Sequence, residues 1–375
     1  MSELNPDPKD VEARTFEGYT IRPYEPGDEA SLLETFNLVF AESFDGEGAY
    51  EPRTMAEWRW AFLENPAGTR IMVAVKDGQV VAQNACLPVR VWIAGEERLF
   101  GQGVDSFCHP DHRAGLRRPG LWVKTVWEFI DEYGAPDKDL LHYGWPIWSA
   151  WRIGKTFLQY EVVRTQNLLR RPVGDEPRRD AAALDAHLAG LGVERFDVGA
   201  GVPRGEDGPT GFGEQARWLW DRLAGDWGAS AIRDAAFLDW RLGTHPRHRY
   251  TVLATRNEDG VLWSYAVYRH GDWIEPGMGL LVDWLAPAPA HPDADHAERL
   301  HGALVALAAS EPGGGATSLT GVFPDWAPEF ARFQERGWRV HPSEYFMIGR
   351  HYHKRYDMLW LREHWWYTLI DTDLV

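Results

Sequence analysis

Two cysteines, Cys86 and Cys108, are all that the 375 residues contain. That is too few for a disulfide framework, and they lack the paired spacing of a zinc site. Long apolar runs are missing too: no stretch approaches the roughly 20 residues that a membrane-spanning helix needs. The opening MSELNPDPKD has neither the basic nor the apolar region of a signal peptide. Together these absences predict a soluble, cytoplasmic protein without a membrane partner. Positive charge is scarce as well. Lys and Arg number 39 against 56 Asp and Glu, a formal charge of −17, which disfavours nucleic acid or an anionic surface because both would be repelled. A neutral or cationic small molecule is the more compatible partner. No repeat of solenoid period occurs, and the one low-complexity tract is Gly313-Gly314-Gly315 after Pro312.

What the chain does have is 44% hydrophobic residues over a length suited to two domains with their own cores. Its most informative stretch is 99–133, LFGQGVDSFCHPDHRAGLRRPGLWVKTVWEFIDEY. Residues 99–108 read as a strand and the next dozen as a loop holding Arg113, Arg117, Arg118 and Gly115. From Gly120 the spacing turns helical: Trp122, Val126, Phe129, Ile130 and Tyr133 share one face, and Lys124, Glu128, Asp131 and Glu132 the other. The first turn of a helix carries unpartnered N–H groups and the positive end of the peptide dipole. Gly115 and Gly120 permit positive φ and close backbone approach, and the arginines add charge-assisted bonds, so a diphosphate is the guest that fits best. The spacing is neither GxxxxGK[ST] nor GxGxxG.

The loop HPDHRAGLRRPGL resembles the coenzyme A loop of the GNAT acyltransferases, whose pattern is Arg/Gln-x-x-Gly-x-Gly/Ala between a strand and a helix. Arg117, Arg118, Pro119, Gly120, Leu121 and Trp122 occupy the pattern, with His109-Pro110-Asp111-His112-Arg113 before it. Trp122 departs from it, standing where the family has a small residue. The entry YTIRPYEPGDEASLLETF is similar to the first strand and helix of many GNAT domains. HYGWPIWSAWRIGKTFLQYEVVR is similar to the family's second cofactor segment, in which a strand splays from its neighbour and a short helix follows. The resemblance implies an α+β or α/β fold of two GNAT-like domains, each a mixed, mostly antiparallel sheet flanked by helices.

In chain order, residues 1–18 read as a disordered lead and 19–170 as the acyl-CoA-binding domain. The latter has a strand at 19–23 and a helix from Glu29 with Leu32, Leu33, Phe36, Val39 and Phe40 on one stripe. A helix at 54–64 and strands at 71–75, 79–92 and 97–108 follow, with Asp77-Gly78 a hairpin signal. Beyond the loop come a strand at 140–144, a helix at 149–157 and a strand at 161–170. Residues 171–213 read as a linker with one helix at 180–191. In 214–375 the order of elements repeats in outline, and the tail reads as a strand. The loop there, APAPAHPDADHAE, has no glycine and no arginine before Arg299, so the second copy is expected to be degenerate for cofactor. It is left to shape the acceptor pocket, dock against the first copy or form a homodimer.

By the resemblance, the co-substrate is acetyl-CoA or another acyl-CoA, held by Phe107, Cys108, His109, Arg113, Gly115, Leu116, Arg117, Arg118, Gly120 and Leu121. The acceptor is a small amine or amino sugar that attacks the thioester directly. Acyl transfer needs a base for the amine and a proton for the thiolate. Asp105 is the carboxylate on the strand before the loop, on the side of Gly103 and Phe107 by the two-residue period. The family's tyrosine acid aligns with Lys155, which leaves Tyr143 as the replacement. His109 with His112, and His351 with His353, make neither HExxH nor a Cys/His set, so no metal is expected. Trp145 and Trp148, beside the splayed strand, are the aromatic residues placed to meet a ligand. The competing readings are a silent CoA-binding regulator and a Fem-type peptidyltransferase using aminoacyl-tRNA, a partner that −17 repels.

Overall fold

A computed structural model of the chain describes residues 14–43, 50–113, 118–203, 205 and 208–374. They fall into two compact units. The first holds the described residues up to Val91 with Gly95–Arg164 and Phe346–Trp360; the second holds Trp92–Ala94, Thr165–Tyr345 and the residues from Leu361.

The first unit opens on a hairpin of β1 (Arg14–Phe16) and β2 (Tyr19–Pro23). Glu17 and Gly18 turn it with φ of 48° and 84°, the pair of positive angles that matches strand twist. Residues 14–18 are therefore paired structure rather than part of a disordered lead, because three residues of alternation are too few to register as a strand in the sequence. Residues 1–13 lie outside the described ones. Helix α1 (Glu29–Ser43) buries Leu32, Thr35, Phe36 and Val39. Helix α2 (Met55–Phe62) starts at a capping box: Thr54 accepts from the Glu57 N–H, and the Glu57 carboxylate accepts from the Thr54 N–H.

β3 (Arg70–Lys76), β4 (Gln79–Ile93) and β5 (Glu96–Cys108) follow as hairpins turned by Asp77-Gly78 and Ala94-Gly95, positive in φ at all four residues. Helix α3 (Leu121–Tyr133) then carries the chain to β6 (Asp139–Gly144), which runs parallel to β5. One side of α3 packs Leu121, Phe129 and Tyr133 over Ile21, Met72 and Cys86; Val123, Val126 and Ile130 meet Leu158. Each such side chain contributes about 1.5–3 kcal/mol of burial, which anchors the start of α3. After β6 come α4 (Trp148–Phe157) and β7 (Glu161–Pro172).

The second unit contains α5 (Ala181–Gly190) and β8 (Val193–Gly199). The segment 171–213, expected as a linker, thus contributes a strand paired residue for residue with β10 below; its alternation, VERFDVG, is interrupted by charges. Next come α6 (Glu214–Leu223), β9 (Ala229–Ala231), α7 (Ala235–Leu238), β10 (Arg249–Arg256), β11 (Leu262–Gly271) and β12 (Met278–Leu285). Helix α8 (Asp295–Ala309) leads to β13 (Ser318–Gly321), and then α9 (Pro328–Glu335), β14 (Arg339–His351), α10 (Met358–His364) and β15 (Trp365–Trp366) complete the chain. β10, β11 and β12 are antiparallel and β13 is parallel to β12, the order already seen in β3, β4, β5, α3 and β6. Each unit is therefore a mixed, mostly antiparallel sheet flanked by helices. The end of β14 belongs to the first unit, where Ile348–His351 pair with β6.

The tail is not the strand that its aromatic residues suggest. Beyond the two residues of β15 it makes a helical turn at Leu369–Asp371, because Asp371 both accepts from the Thr368 N–H at 2.9 Å and binds the buried Arg233 guanidinium at 2.5 and 2.8 Å. Asp283 holds the other side of the same guanidinium at 3.2 and 3.3 Å.

Candidate active site

β5 and β6 start as neighbours and then part. Their register runs from Leu99↔Asp139 to Gln102↔Tyr143, yet β5 continues to Cys108 while β6 stops at Gly144. The strands are tight where they separate: a Cβ on Gly144 would lie 3.1 Å from the Gly103 carbonyl oxygen. Beyond that point Trp145-Pro146 turns the chain away, since proline cannot donate to a ladder. This is the splay expected from residues 140–157.

A cavity of about 400 Å³ borders this region, within the range of small-molecule sites. β5 contributes Ser106, Phe107 and Cys108 to its wall, and α1 contributes Val39, Phe40 and Ser43. From α4 and its N-cap come Ile147, Ala150, Ile153 and Phe157, three or four residues apart and hence on one helical face; the helix also buries Trp151 and Gly154. Arg113, Arg118 and the start of α3 supply the polar end. Most of the wall is apolar, and the positive groups gather at one side.

The start of α3 is prepared for an anion. Gly120 caps the helix with no side-chain hydrogen bond, and no acidic residue lies in the first turn, so among the described residues no carboxylate neutralises the N–H groups and the dipole there. Gly120 has φ −82° and ψ −179°, ordinary extended backbone, so its expected positive φ is not used. Arg113 folds back, its Nε donating to the Cys108 carbonyl at 2.9 Å. Arg118 is exposed beside the helix start. Gly115, Leu116 and Arg117, expected in the same cradle, lie outside the described residues.

The other expected residues separate. Phe107, Cys108, Arg113, Arg118, Gly120 and Leu121 line the cavity. His109 does not: its N–H donates to the Val81 carbonyl at 2.8 Å and its ring nitrogen accepts from the Asp111 N–H at 3.3 Å, which makes it a turn-closing residue. Burial pushes the Cys108 thiol up to about 11, partly offset by Arg113 and by the Trp122 backbone N–H, so it is a neutral wall group at pH 7.

Asp105 has φ +52°, a left-handed conformation that Asp tolerates better than most residues. The irregularity breaks the two-residue alternation: Ser106, Phe107 and Cys108 all line the cavity while Asp105 is not among its wall residues. Its carboxylate pairs with Arg53, whose guanidinium lies 4.6 Å over the Phe36 ring. Asn37 on α1 holds the Arg53 backbone at both its N–H and its carbonyl, 2.9 and 3.0 Å. Tyr143 is buried, with its ring edge-on to Phe100 and Trp145 at 6.4 and 5.6 Å. Lys155 stands 5.9 Å from the Trp151 ring. Trp148 is exposed and leans on Phe346 at 6.2 Å.

Three contributions escaped sequence reasoning. Val39, Phe40 and Ser43 read as an ordinary helix stripe, and Arg53, 52 positions from Asp105, carried no local signal. The stripe of Ile147, Ala150, Ile153 and Phe157 went unremarked within a helix expected at 149–157, and only the fold turns it toward a cavity. Among the described residues no cluster of His, Cys, Asp and Glu could hold a metal ion, and no helix is long and apolar enough to cross a membrane.

Residues 20–150 match the family model described as an acetyltransferase (GNAT) domain. Over that stretch the chain is similar to a GNAT acetyltransferase domain. The stretch contains β2 to β6, α3 and the cavity's polar end. Solved structures extend the likeness in fold to both units. A GCN5-related N-acetyltransferase from Anabaena variabilis ATCC 29413 aligns with TM-score 0.57 and 12% identity, covering 89% of this chain and 73% of that one. A conserved protein of Enterococcus faecalis V583 described as a probable N-acyltransferase aligns with TM-score 0.55 and 14% identity over 92% and 74%. Saccharomyces cerevisiae N-myristoyltransferase with bound myristoyl-CoA aligns with TM-score 0.54 and 11% identity over 92% and 86%. No curated protein matches the sequence.

Proposed function

We propose that the protein is a two-copy GNAT-fold N-acyltransferase whose first unit takes an acyl-CoA and passes the acyl group to the amine of a small acceptor, such as an amino sugar. The observation that carries this reading is the cavity beside the parted β5 and β6, apolar along most of its wall and bordered by Arg118 and the uncapped start of α3. An uncapped helix start beside an arginine suits a diphosphate, and an apolar wall beside a free strand edge suits an extended amide-containing arm. The donor supplies an activated acyl group. The acceptor nitrogen attacks the carbonyl carbon, a C–N bond forms and the C–S bond breaks. Asp105 takes the amine proton and Tyr143 gives one to the thiolate, roles that require Asp105 to exchange Arg53 for the acceptor.

The second unit supports a single donor site per chain. At the matching place, between the end of β12 and the start of α8, the free space is only about 10 Å³. Asp293 near the helix start is bound by Arg222 at 2.5 Å, and Glu298 by Arg332 at 2.5 and 3.1 Å. The protein's own charges fill the position that a diphosphate would take. One observation favours a silent CoA-binding regulator instead, namely the Arg53 ion pair that already engages Asp105.

Calorimetry with acetyl-CoA on the wild type and on an Arg117→Ala, Arg118→Ala variant tests the donor site. Binding by the wild type that weakens at least tenfold in the variant is expected, since hydrogen bonds to charged groups are each worth about 1.5–3 kcal/mol. A folded wild type that does not bind refutes the proposal. Release of free thiol across a panel of amines then separates enzyme from regulator.

A further inference from the structure

β4 buries an unbroken run from Val80 to Val89 that is apolar apart from two adjacent amides. Gln83 and Asn84 are only 1% and 5% exposed. A buried amide costs stability unless it is hydrogen-bonded, so the partners of these two show what they hold. Gln83 Nε2 donates to the Asp105 carbonyl at 2.8 Å, and Asn84 Oδ1 accepts from the Ser106 hydroxyl at 3.0 Å. A carbonyl only accepts, which fixes the Gln83 amide with its NH2 group toward β5. Successive strand residues leave opposite faces, so the two amides grip consecutive β5 residues from both sides. The first residue gripped is the one with φ +52°. A left-handed residue other than glycine persists inside a strand only where its surroundings over-determine it. Here Gln83 holds the carbonyl, Arg53 holds the carboxylate and Asn84 holds the next side chain.

We propose that Gln83 is a positioning residue for acyl transfer: its amide fixes the left-handed turn at Asp105, which sends the carboxylate to Arg53 while Ser106, Phe107 and Cys108 stay in the cavity wall. Asn84 braces the same turn from the other face. The inference rests on the acyl-transfer reading above, in which Asp105 takes the amine proton. Without the Gln83 donor the turn loses the partner of its carbonyl, and relaxation to extended backbone swings the carboxylate to a different direction. A group displaced by about 1 Å can lose on the order of 100-fold in rate.

Gln83→Met keeps the length and bulk of the side chain and removes the donor. With acetyl-CoA and the amine of the thiol-release panel that the wild type acylates fastest, kcat is expected to fall about tenfold or more, while calorimetry gives an acetyl-CoA Kd within about threefold of the wild type. In an Asp105→Asn background the same substitution is expected to cost less than about twofold, because a residue that acts through Asp105 then has no base to position. Gln83→Glu keeps the argument testable if Gln83→Met does not fold. Burial raises a carboxyl pKa, and the Glu side chain donates to the Asp105 carbonyl only while protonated, so the ratio of its kcat/KM to that of the wild type is expected to rise as pH falls from about 8 to about 6. Wild-type turnover by Gln83→Met or by Asp105→Asn, equal losses in the two backgrounds, or a ratio that does not change with pH overturns the inference and leaves acyl transfer standing. Absence of acyl transfer by the wild type overturns both.

Discussion

Ala150→Phe is the substitution that weighs most directly whether the cavity seats the donor. Ala150 sits on the α4 face between Ile147 and Ile153 and lines a space of about 400 Å³. A cavity of roughly 150 Å³ accommodates benzene, so the added phenyl takes up about a third of the space. That excludes about six ligand atoms, and at ~0.3 kcal/mol per atom the loss is about 2 kcal/mol, or about 30-fold in Kd. The helix itself is little affected, because Phe for Ala costs about 0.5 kcal/mol of propensity, a drop of one or two degrees in Tm for a chain of this size. Thr156→Phe, on an exposed position of the same helix, is the matched control. Acetyl-CoA calorimetry and thermal melting on the three proteins decide the matter. If Ala150→Phe binds acetyl-CoA within about threefold of the wild type while folded, the donor does not use this cavity.

Asp105→Asn is expected to lower kcat/KM by at least 100-fold with donor affinity unchanged, the usual scale of general-base loss; unchanged turnover assigns the carboxylate to structure. Arg53→Ala frees Asp105 for the acceptor's ammonium and is expected to lower the acceptor KM, whereas a KM that rises or stays constant indicates that the ion pair merely braces β5. His301, whose Nε2 accepts from the Trp338 indole at 2.9 Å, is pushed down to about 3 by burial. Its folded pKa is below the unfolded value near 6.5, so its contribution to stability is complete above that pH and lost as pH falls toward 3. Each unit costs up to about 1.4 kcal/mol. Chemical denaturation between pH 7 and 5 should show this acid limb shrinking in His301→Gln, and an unchanged limb refutes it. Gly101→Ala would place a Cβ 2.9 Å from the His142 ring and 3.3 Å from the Cys86 Cβ. This overpacking should cost about 1–3 kcal/mol, read as a lower denaturation midpoint, and a midpoint equal to that of the wild type contradicts the packing described.

The two ends of the cavity were unequally legible. Its polar end follows from local spacing: arginines and a glycine before an amphipathic helix produce a positive helix start wherever that helix lies. The apolar end is assembled from α1 and α4, which are more than 100 positions apart, and neither stripe differs in sequence from a core-facing one. Asp105 illustrates the same limit. Strand alternation assigned it a side, and one residue with φ +52° reassigned it. Such an irregularity depends on what neighbouring strands allow rather than on residue preference.

From residue order alone came the strand at 97–108 and the amphipathic helix that follows it, and the hairpin at Asp77-Gly78; the parting of β5 from β6 before Pro146 came from the family resemblance. The strand, the helix and the hairpin depend on interactions within a few residues, such as turn angles and helix periodicity. Tertiary structure alone decided which side chains meet across the chain. It brought Arg53 to Asp105, Asp371 to Arg233 and the α1 stripe to the cavity. Those pairings are chosen by close packing of the whole unit, in which each buried polar group must find a partner, and no local pattern encodes that choice.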